Sequence, residues 1–170
     1  MLETEQVPAG QLLLEVQWSM SFAERYSHAI RPHMNETLFR TLVVEGGSND
    51  LNTALPEDAL QAQVKSLPVK LARKMIRQAK ERIAPLYDVS QTLAQSRFDD
   101  VLANSVASFK KANDTRIERL KYLAKVNPIV TEADVSALIS QTELETQALQ
   151  QCEFVTSGVR LILCAPPGSL

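Results

Sequence analysis

The chain has 170 residues, 45% of them apolar and 22% charged, with a formal net charge of -2. That size and balance suit one soluble domain with a substantial core and supply no global electrostatic pull toward nucleic acid or an anionic membrane. There is no apolar run of about eighteen residues, and the opening MLETEQVPAG has neither a basic start nor an apolar centre, so a cytoplasmic protein without a membrane span is expected.

Leu14, Val16, Trp18, Met20 and Phe22 alternate with Glu15, Gln17, Ser19 and Ser21, the pattern of a half-buried strand. LFRTLVVE, Leu38 to Glu45, is a second apolar run, closed by Gly46-Gly47-Ser48-Asn49-Asp50, residues that tolerate turn conformations. Tyr26 to His33 is a candidate strand between these two, with Pro32 placing it at an edge or ending it.

After Pro56 the pattern becomes helical. Pro56-Glu57-Asp58 resembles a first turn, with the acids near the positive end of the helix dipole, and a short helix to about Ser66 follows. From Pro68, Leu71, Met75, Ala79 and Ile83 recur at helical spacing, with Lys70, Arg73, Lys74, Arg77 and Lys80 on the opposite side. Pro85 is expected to end or kink this helix, and Asp88 with Gln91 to cap a restart.

Phe98, Val101, Leu102, Ser105, Phe109, Ala112, Leu120 and Leu123 then trace one stripe toward Val126. A helix from Ser90 to Val126 spans roughly 55 Å, more than a small domain is wide, so it must project or find a partner. Asn127-Pro128 breaks it, and Thr131 followed by Asp134 signals the start of another helix. The short loop predicts an antiparallel hairpin whose return stripe is Val135, Leu138, Ile139, Thr142, Thr146 and Leu149.

Charge agrees with that pairing. Lys110 to Lys125 carries six basic residues against Asp114 and Glu118, while Thr131 to Glu153 carries five acids and no Lys or Arg. Exposed pairs contribute only about 0.2 to 1 kcal/mol each, so buried stripes must decide stability and charge mainly sets register.

VRLILCA, Val159 to Ala165, reached through Ser157-Gly158 and followed by Pro166-Pro167, reads as a buried closing strand. The expected fold is α+β: a small antiparallel sheet of N-terminal strands plus a C-terminal strand, with a long antiparallel helical hairpin inserted. As one domain over 1–170, it has strands over about 11–46, a short helix over about 56–66, a kinked long helix over about 68–126, a return helix over about 131–153 and a final strand over about 159–165.

Signs of chemistry are sparse. Gly46-Gly47-Ser48 lacks the lysine and flanking pattern of a phosphate-binding loop, and no nucleophile elbow is present. His28 and His33 lack a matching ligand set for a metal, and Asp99-Asp100, adjacent on a helix, point in different directions. Cys152 and Cys164 have no paired spacing and read as two reduced, partly buried thiols. The feature with functional promise is the face of Lys70, Arg73, Lys74, Arg77 and Lys80, able to contact phosphates or an acidic protein surface, although no interleaved aromatics offer base stacking.

ERLKYLAKVNPIVTEADVSAL (Glu118 to Leu138), the closing VRLIL and the early VPAGQLLLEV together resemble the C-terminal domain of the RapA family, bacterial RNA polymerase-associated ATPases of the Swi/Snf helicase type. The likeness rests on three landmarks in order: a Pro-Ala-Gly entry to the first strand, a Leu-rich helix ending in Val-Asn-Pro, and a final Arg-Leu-Ile strand. It covers nearly the whole chain. Val155-Thr156-Ser157-Gly158 stand where the family tends to place charged residues before the closing strand.

The resemblance implies a non-catalytic accessory domain of an ATP-dependent protein that recycles RNA polymerase, with Met1 beginning a fragment that lacks the motor and its ATPase activity. The partners implied are RNA polymerase, the motor domains of the same polypeptide, or both; the residues themselves lead to no expectation of a cofactor or metal. The rival readings are a DNA- or RNA-binding module using the basic face over residues 70–82, and a homo-oligomeric coiled-coil scaffold.

Overall fold

The computed structural model describes residues 1–3, 7–34 and 36–166, without the side chain of Glu3. These residues fall into two compact units: the described parts of Met1–Ser19, Leu38–Arg97 and Thr156–Leu170, and those of Met20–Thr37 and Phe98–Val155.

The first unit is built on four strands, β1 (Leu2–Glu3), β2 (Leu12–Ser21), β3 (Leu38–Val44) and β4 (Glu153–Ala165), ordered β1-β4-β2-β3 in one sheet. β2 and β3 pair antiparallel from Leu13↔Val44 to Ser19↔Leu38. β4 runs antiparallel along the other side of β2: the Cys164 amide donates to the Gln11 carbonyl (3.0 Å), Arg160 meets Glu15, and Gly158 lies against Gln17. The antiparallel sheet joining both ends of the chain is therefore as expected. β1 adds a two-residue parallel pairing, Leu2↔Cys164 and Glu3↔Ala165.

β4 begins at Glu153, six residues earlier than the apolar run. Gly158 is thus a strand residue, and a Cβ there would stand 3.1 Å from Oε1 of the Gln17 side chain. At the exit of β3, Gly46 has φ +76°, a conformation that glycine adopts without steric cost.

Leu14, Val16 and Trp18 are buried on one face of β2, as their alternation predicts. Thr41 continues that face on β3, and Ser90 and Tyr87 meet it from the long helix α4 (Lys80–Val126). The other face is not solvated, which corrects the half-buried reading. Leu13, Leu42, Ile162 and Cys164 pack there with Leu2, Val7, Leu55 and Leu60, the last lying on α2 (Glu57–Gln63). Full burial of each such leucine contributes about 1.5–3 kcal/mol, enough to draw the segment after β3 over the sheet.

Between β2 and β3 the structure has helical turns rather than the expected strand: 3-10 turns at Glu24–Tyr26 and Arg31–His33 flank α1 (Ser27–Ile30). Pro32 sits in the first turn of its segment, where its missing N–H costs nothing, and Ile30 and Met34, four apart, are the buried residues.

The helix from Pro68 also differs from expectation. α3 (Val69–Gln78) ends at Ala79, which is buried and leaves helical ψ (φ -91°, ψ 1°); α4 then runs without interruption through Pro85 to Val126. Pro85 lies in the second turn of α4 and neither ends that helix nor requires a restart, and Asp88 is an interior residue.

The second unit holds residues 98–126 of α4 and α5 (Glu132–Gln150). Leu120 and Leu123 share one groove with Asp134 and Leu138, and Lys110 and Asp114 share another with Thr146 and Gln150. Rising numbers on one helix meet falling numbers on the other, so the predicted antiparallel hairpin is present.

Phe98, Ser105 and Phe109 are buried on α4, as are Val135, Leu138 and Leu149 on α5. The outgoing stripe passes through buried Asn113 rather than exposed Ala112, and the Asn113 side-chain amide is satisfied by donating to the Phe109 carbonyl at 3.0 Å. α1 packs against α5, His33 meets the Phe109 ring edge-on at 5.2 Å, and Phe98 contacts Phe154 at 5.2 Å. Among the described residues no ion pair joins the two arms, so burial holds them together.

Candidate interaction surfaces

α3 begins after Pro68 and contains no buried residue. Lys70, Arg73, Lys74 and Arg77 on α3 and Lys80 at the start of α4 are all exposed, and α3 contains no acid. None of the five has an ion-pair partner among the described residues. The sequence thus identified the charged face, but its apolar partner face is rotated. Ala72, Met75, Ile76 and Ala79 line a cleft to which Leu71 does not contribute.

That cleft, of about 470 Å³, lies within the first unit. Leu12, Leu161 and Leu163 from the sheet, Met1, and the connection Val64–Leu67 complete its lining, with Arg82 and Arg160 as its charged members. The connection is tied back to the N-terminal segment: the Lys65 amide donates to the Met1 carbonyl (2.9 Å) and the Met1 amine to the Lys65 carbonyl (2.6 Å).

Both arginines of the cleft are held. The Arg82 guanidinium donates to both carboxylate oxygens of Glu45 and to the Gly10 carbonyl at 3.0 Å, joining the start of α4 to the ends of β2 and β3. The Arg82 hydrogen bond holds the Glu45 carboxyl below its ordinary range. Arg160 donates to Glu15 Oε2, while Arg40 donates to Glu15 Oε1 at 3.1 Å, to the Leu55 carbonyl at 2.7 Å and to Asn52 at 2.7 Å. Glu15 is only 2% exposed, a buried carboxylate where alternation placed a solvent residue.

At the hairpin turn, Asn127 Oδ1 accepts from the Ile129 amide at 3.0 Å and the Asn127 carbonyl from the Val130 amide at 3.1 Å. Asn127 therefore organises the reversal while Pro128 stops α4. Thr131 and Asp134 form a reciprocal capping box, as their spacing predicts. Around this turn Tyr122, Val126 and Ile129 are exposed, Ile129 to 84%, making an apolar tip.

Cys152 and Cys164 are buried and unbridged. Burial raises both thiols, Cys152 to about 11. His28 is exposed and His33 half-buried. No helix among the described residues is long and apolar enough to cross a membrane.

Comparison with known proteins agrees with these landmarks. Residues 1–164 match the family described as RNA polymerase recycling family C-terminal, RapA_C. The chain is 21% identical over 163 residues to the RNA polymerase-associated protein RapA of Vibrio parahaemolyticus, covering 96% of this chain and 17% of that protein. It is 22% identical over 163 residues to the RapA of Pseudomonas fluorescens, with the same coverage, and 22% identical over 165 residues to that of Vibrio cholerae, covering 97% and 17%. It thus spans about a sixth of the length of these curated relatives. From Leu2 in the sheet to Cys164, the chain belongs to the RNA polymerase recycling C-terminal family, RapA_C.

Proposed function

We propose that residues 1–170 act as one non-catalytic accessory module of a longer, ATP-dependent RNA polymerase-associated protein in the cytoplasm, making protein contacts to polymerase or to the motor portion of the same polypeptide. The observation that carries this reading is the hairpin tip. Tyr122, Val126 and Ile129 expose apolar surface at a turn that Asn127 and the Thr131 cap organise independently of them. An ordered turn presenting apolar side chains suits protein contact. The name of the matched relatives, RNA polymerase-associated protein, supplies the partner class.

The test combines the purified chain with core RNA polymerase and, separately, with the remainder of the parent polypeptide, following co-sedimentation. Binding to one of them, weakened at least tenfold by Ile129→Asp with Tyr122→Ala, is expected. Loss of neither interaction in that variant, or ATP hydrolysis by the chain unaided, overturns the proposal.

A second reading, nucleic-acid binding, is favoured by the five exposed cations Lys70, Arg73, Lys74, Arg77 and Lys80. It predicts binding of duplex or single-stranded DNA that falls steeply with salt and disappears on charge reversal. Absence of binding at low salt removes it.

A further inference from the structure

We propose that the groove between α4 and α5 lined by Leu120, Leu123, Ala137 and Leu138 is a docking site for an amphipathic helix of a partner protein, one whose apolar stripe is flanked by carboxylates. This goes beyond the contacts of Tyr122, Val126 and Ile129 and stands whether or not those are made.

The groove, of about 430 Å³, lies wholly within the second unit, between the two arms of the hairpin. Farther from the turn, the same side of the hairpin already carries a third helical element. His33 meets the Phe109 ring edge-on and shares a hydrogen bond of 3.3 Å with Ser108, and α1 packs on α5. Arg119 stands eleven residues beyond Ser108, and Leu120 eleven beyond Phe109. Eleven residues make three helical turns, so the groove continues the side that His33 covers, about 16 Å closer to the turn. Leu120 and Leu123 are only half-buried there. An antiparallel pair of helices covers such a stripe when the ridge of a further helix enters its groove.

Charge specifies the flanks of that helix. Arg116 and Arg119 line the groove from α4, both are exposed, and neither has an ion-pair partner among the described residues. Three apart on a helix, they are neighbours of like charge. Glu118 is two residues from Arg116, about 200° around the helix, and so turns away. Asp134, across the groove, has its carboxylate occupied by the Thr131 amide and hydroxyl, each at 2.8 Å. Carboxylates on an incoming helix offset the repulsion and suit the forked geometry of guanidinium groups.

The groove on the other side of the hairpin lacks this combination. Asp114 and Glu143 offset Lys110 there, and Ile117 and Ile139 stand among threonine and glutamine side chains. A nucleic acid at the first groove would pair with its two arginines and leave the leucines uncovered. A protein helix, anchored by apolar residues at threes and fours, uses both, and is therefore the favoured occupant.

The experiment follows the anisotropy of a fluorescein-labelled synthetic helix, with leucines at spacings of three and four flanked by glutamates, titrated with the intact chain. Its lysine-for-glutamate counterpart and a labelled DNA duplex serve as comparisons. Saturable binding of the glutamate helix alone is expected, weakening as salt rises. Ala137→Gln, at an exposed position, puts a polar side chain into the groove without changing charge and should weaken binding about tenfold. Arg116→Glu with Arg119→Glu should weaken it about tenfold as well and remove most of its salt dependence. Thermal unfolding should be unchanged in both variants, since all three positions are exposed.

No binding of the glutamate helix at low salt overturns the proposal, and so does binding that neither variant weakens. Displacement of the peptide by duplex DNA overturns it by assigning the arginines to phosphate. Self-association of the chain that excludes the peptide and is lost in Ala137→Gln overturns it by making a second copy the occupant. Both variants retain Tyr122, Val126 and Ile129, so failure here leaves the co-sedimentation result to stand or fall separately.

Discussion

Glu15 and Arg160, 145 positions apart in the chain, form an ion pair across β2 and β4, with Arg40 of β3 on the second carboxylate oxygen. One buried carboxylate therefore ties three strands together, two of them from the N-terminal part of the chain and one from its end. Removing one member of a buried pair leaves the rest uncompensated.

Glu15→Ala is expected to destabilise the chain by about 3 kcal/mol, read as a lower urea midpoint at unchanged slope. Arg160→Ala should cost less, because its side chain is about a third exposed and Arg40 still holds the carboxylate. Equal losses from the two substitutions would contradict this division of roles.

The Trp18 indole N–H donates to Thr41 Oγ1 at 2.9 Å, and Thr41 shares a hydrogen bond of 2.5 Å with Ser90, all three being buried. Thr41→Val keeps the shape but strands the indole and the serine hydroxyl, so a loss of about 1–3 kcal/mol is expected. Since Trp18 is the only tryptophan, its fluorescence reports this site directly during unfolding. An unchanged midpoint would show that the chain of bonds contributes nothing.

Thr131 caps α5 and receives Asp134 in return. Thr131→Ala should cost about 1 kcal/mol. Hydrogen bonds from the Thr131 amide and hydroxyl hold the Asp134 carboxyl below its ordinary value. Its contribution is thus present above the ordinary aspartate range, about pH 4, and is lost as pH falls through the lower folded value. Carbon-detected titration of Asp134 should show the depressed midpoint in the native chain and only a partial return upward in Thr131→Ala, which removes the hydroxyl but keeps the amide, the larger cause.

Burial raises the Cys152 thiol to about 11. The unfolded chain releases this proton at lower pH than the folded one, so stability is full below the unfolded thiol value, about 8.5, and declines as pH rises toward the folded value. Alkylation of the native chain by iodoacetamide at mildly alkaline pH should be slow at Cys152 and at Cys164, and rapid after urea unfolding. Fast labelling of the native protein would contradict the buried positions.

The hairpin was legible because its signals are local. Proline after Asn127, a Thr131/Asp134 cap and apolar residues at threes and fours act through backbone geometry within a few positions, and the structure has the turn and the cap where they fall. Pro85 shows the limit of such signals: it does not end the helix, while the chain leaves helical ψ at the unremarkable Ala79. Tyr26 to His33 failed similarly, since its few apolar residues also fit helical turns around Ile30 and Met34.

Taken alone, the sequence determined that β2 alternates, that two long helices reverse at Asn127-Pro128, and that the positive charge of α3 gathers on one face. Only the tertiary structure decided that the second face of β2 is covered, because that depends on where residues 51–64 settle, and nothing within β2 encodes it. The same holds for Glu15, whose partners Arg40 and Arg160 come from distant strands. Short-range patterns constrain a residue's own turn or strand. What covers it, pairs with it or leaves it exposed is set by segments far along the chain that fold onto it.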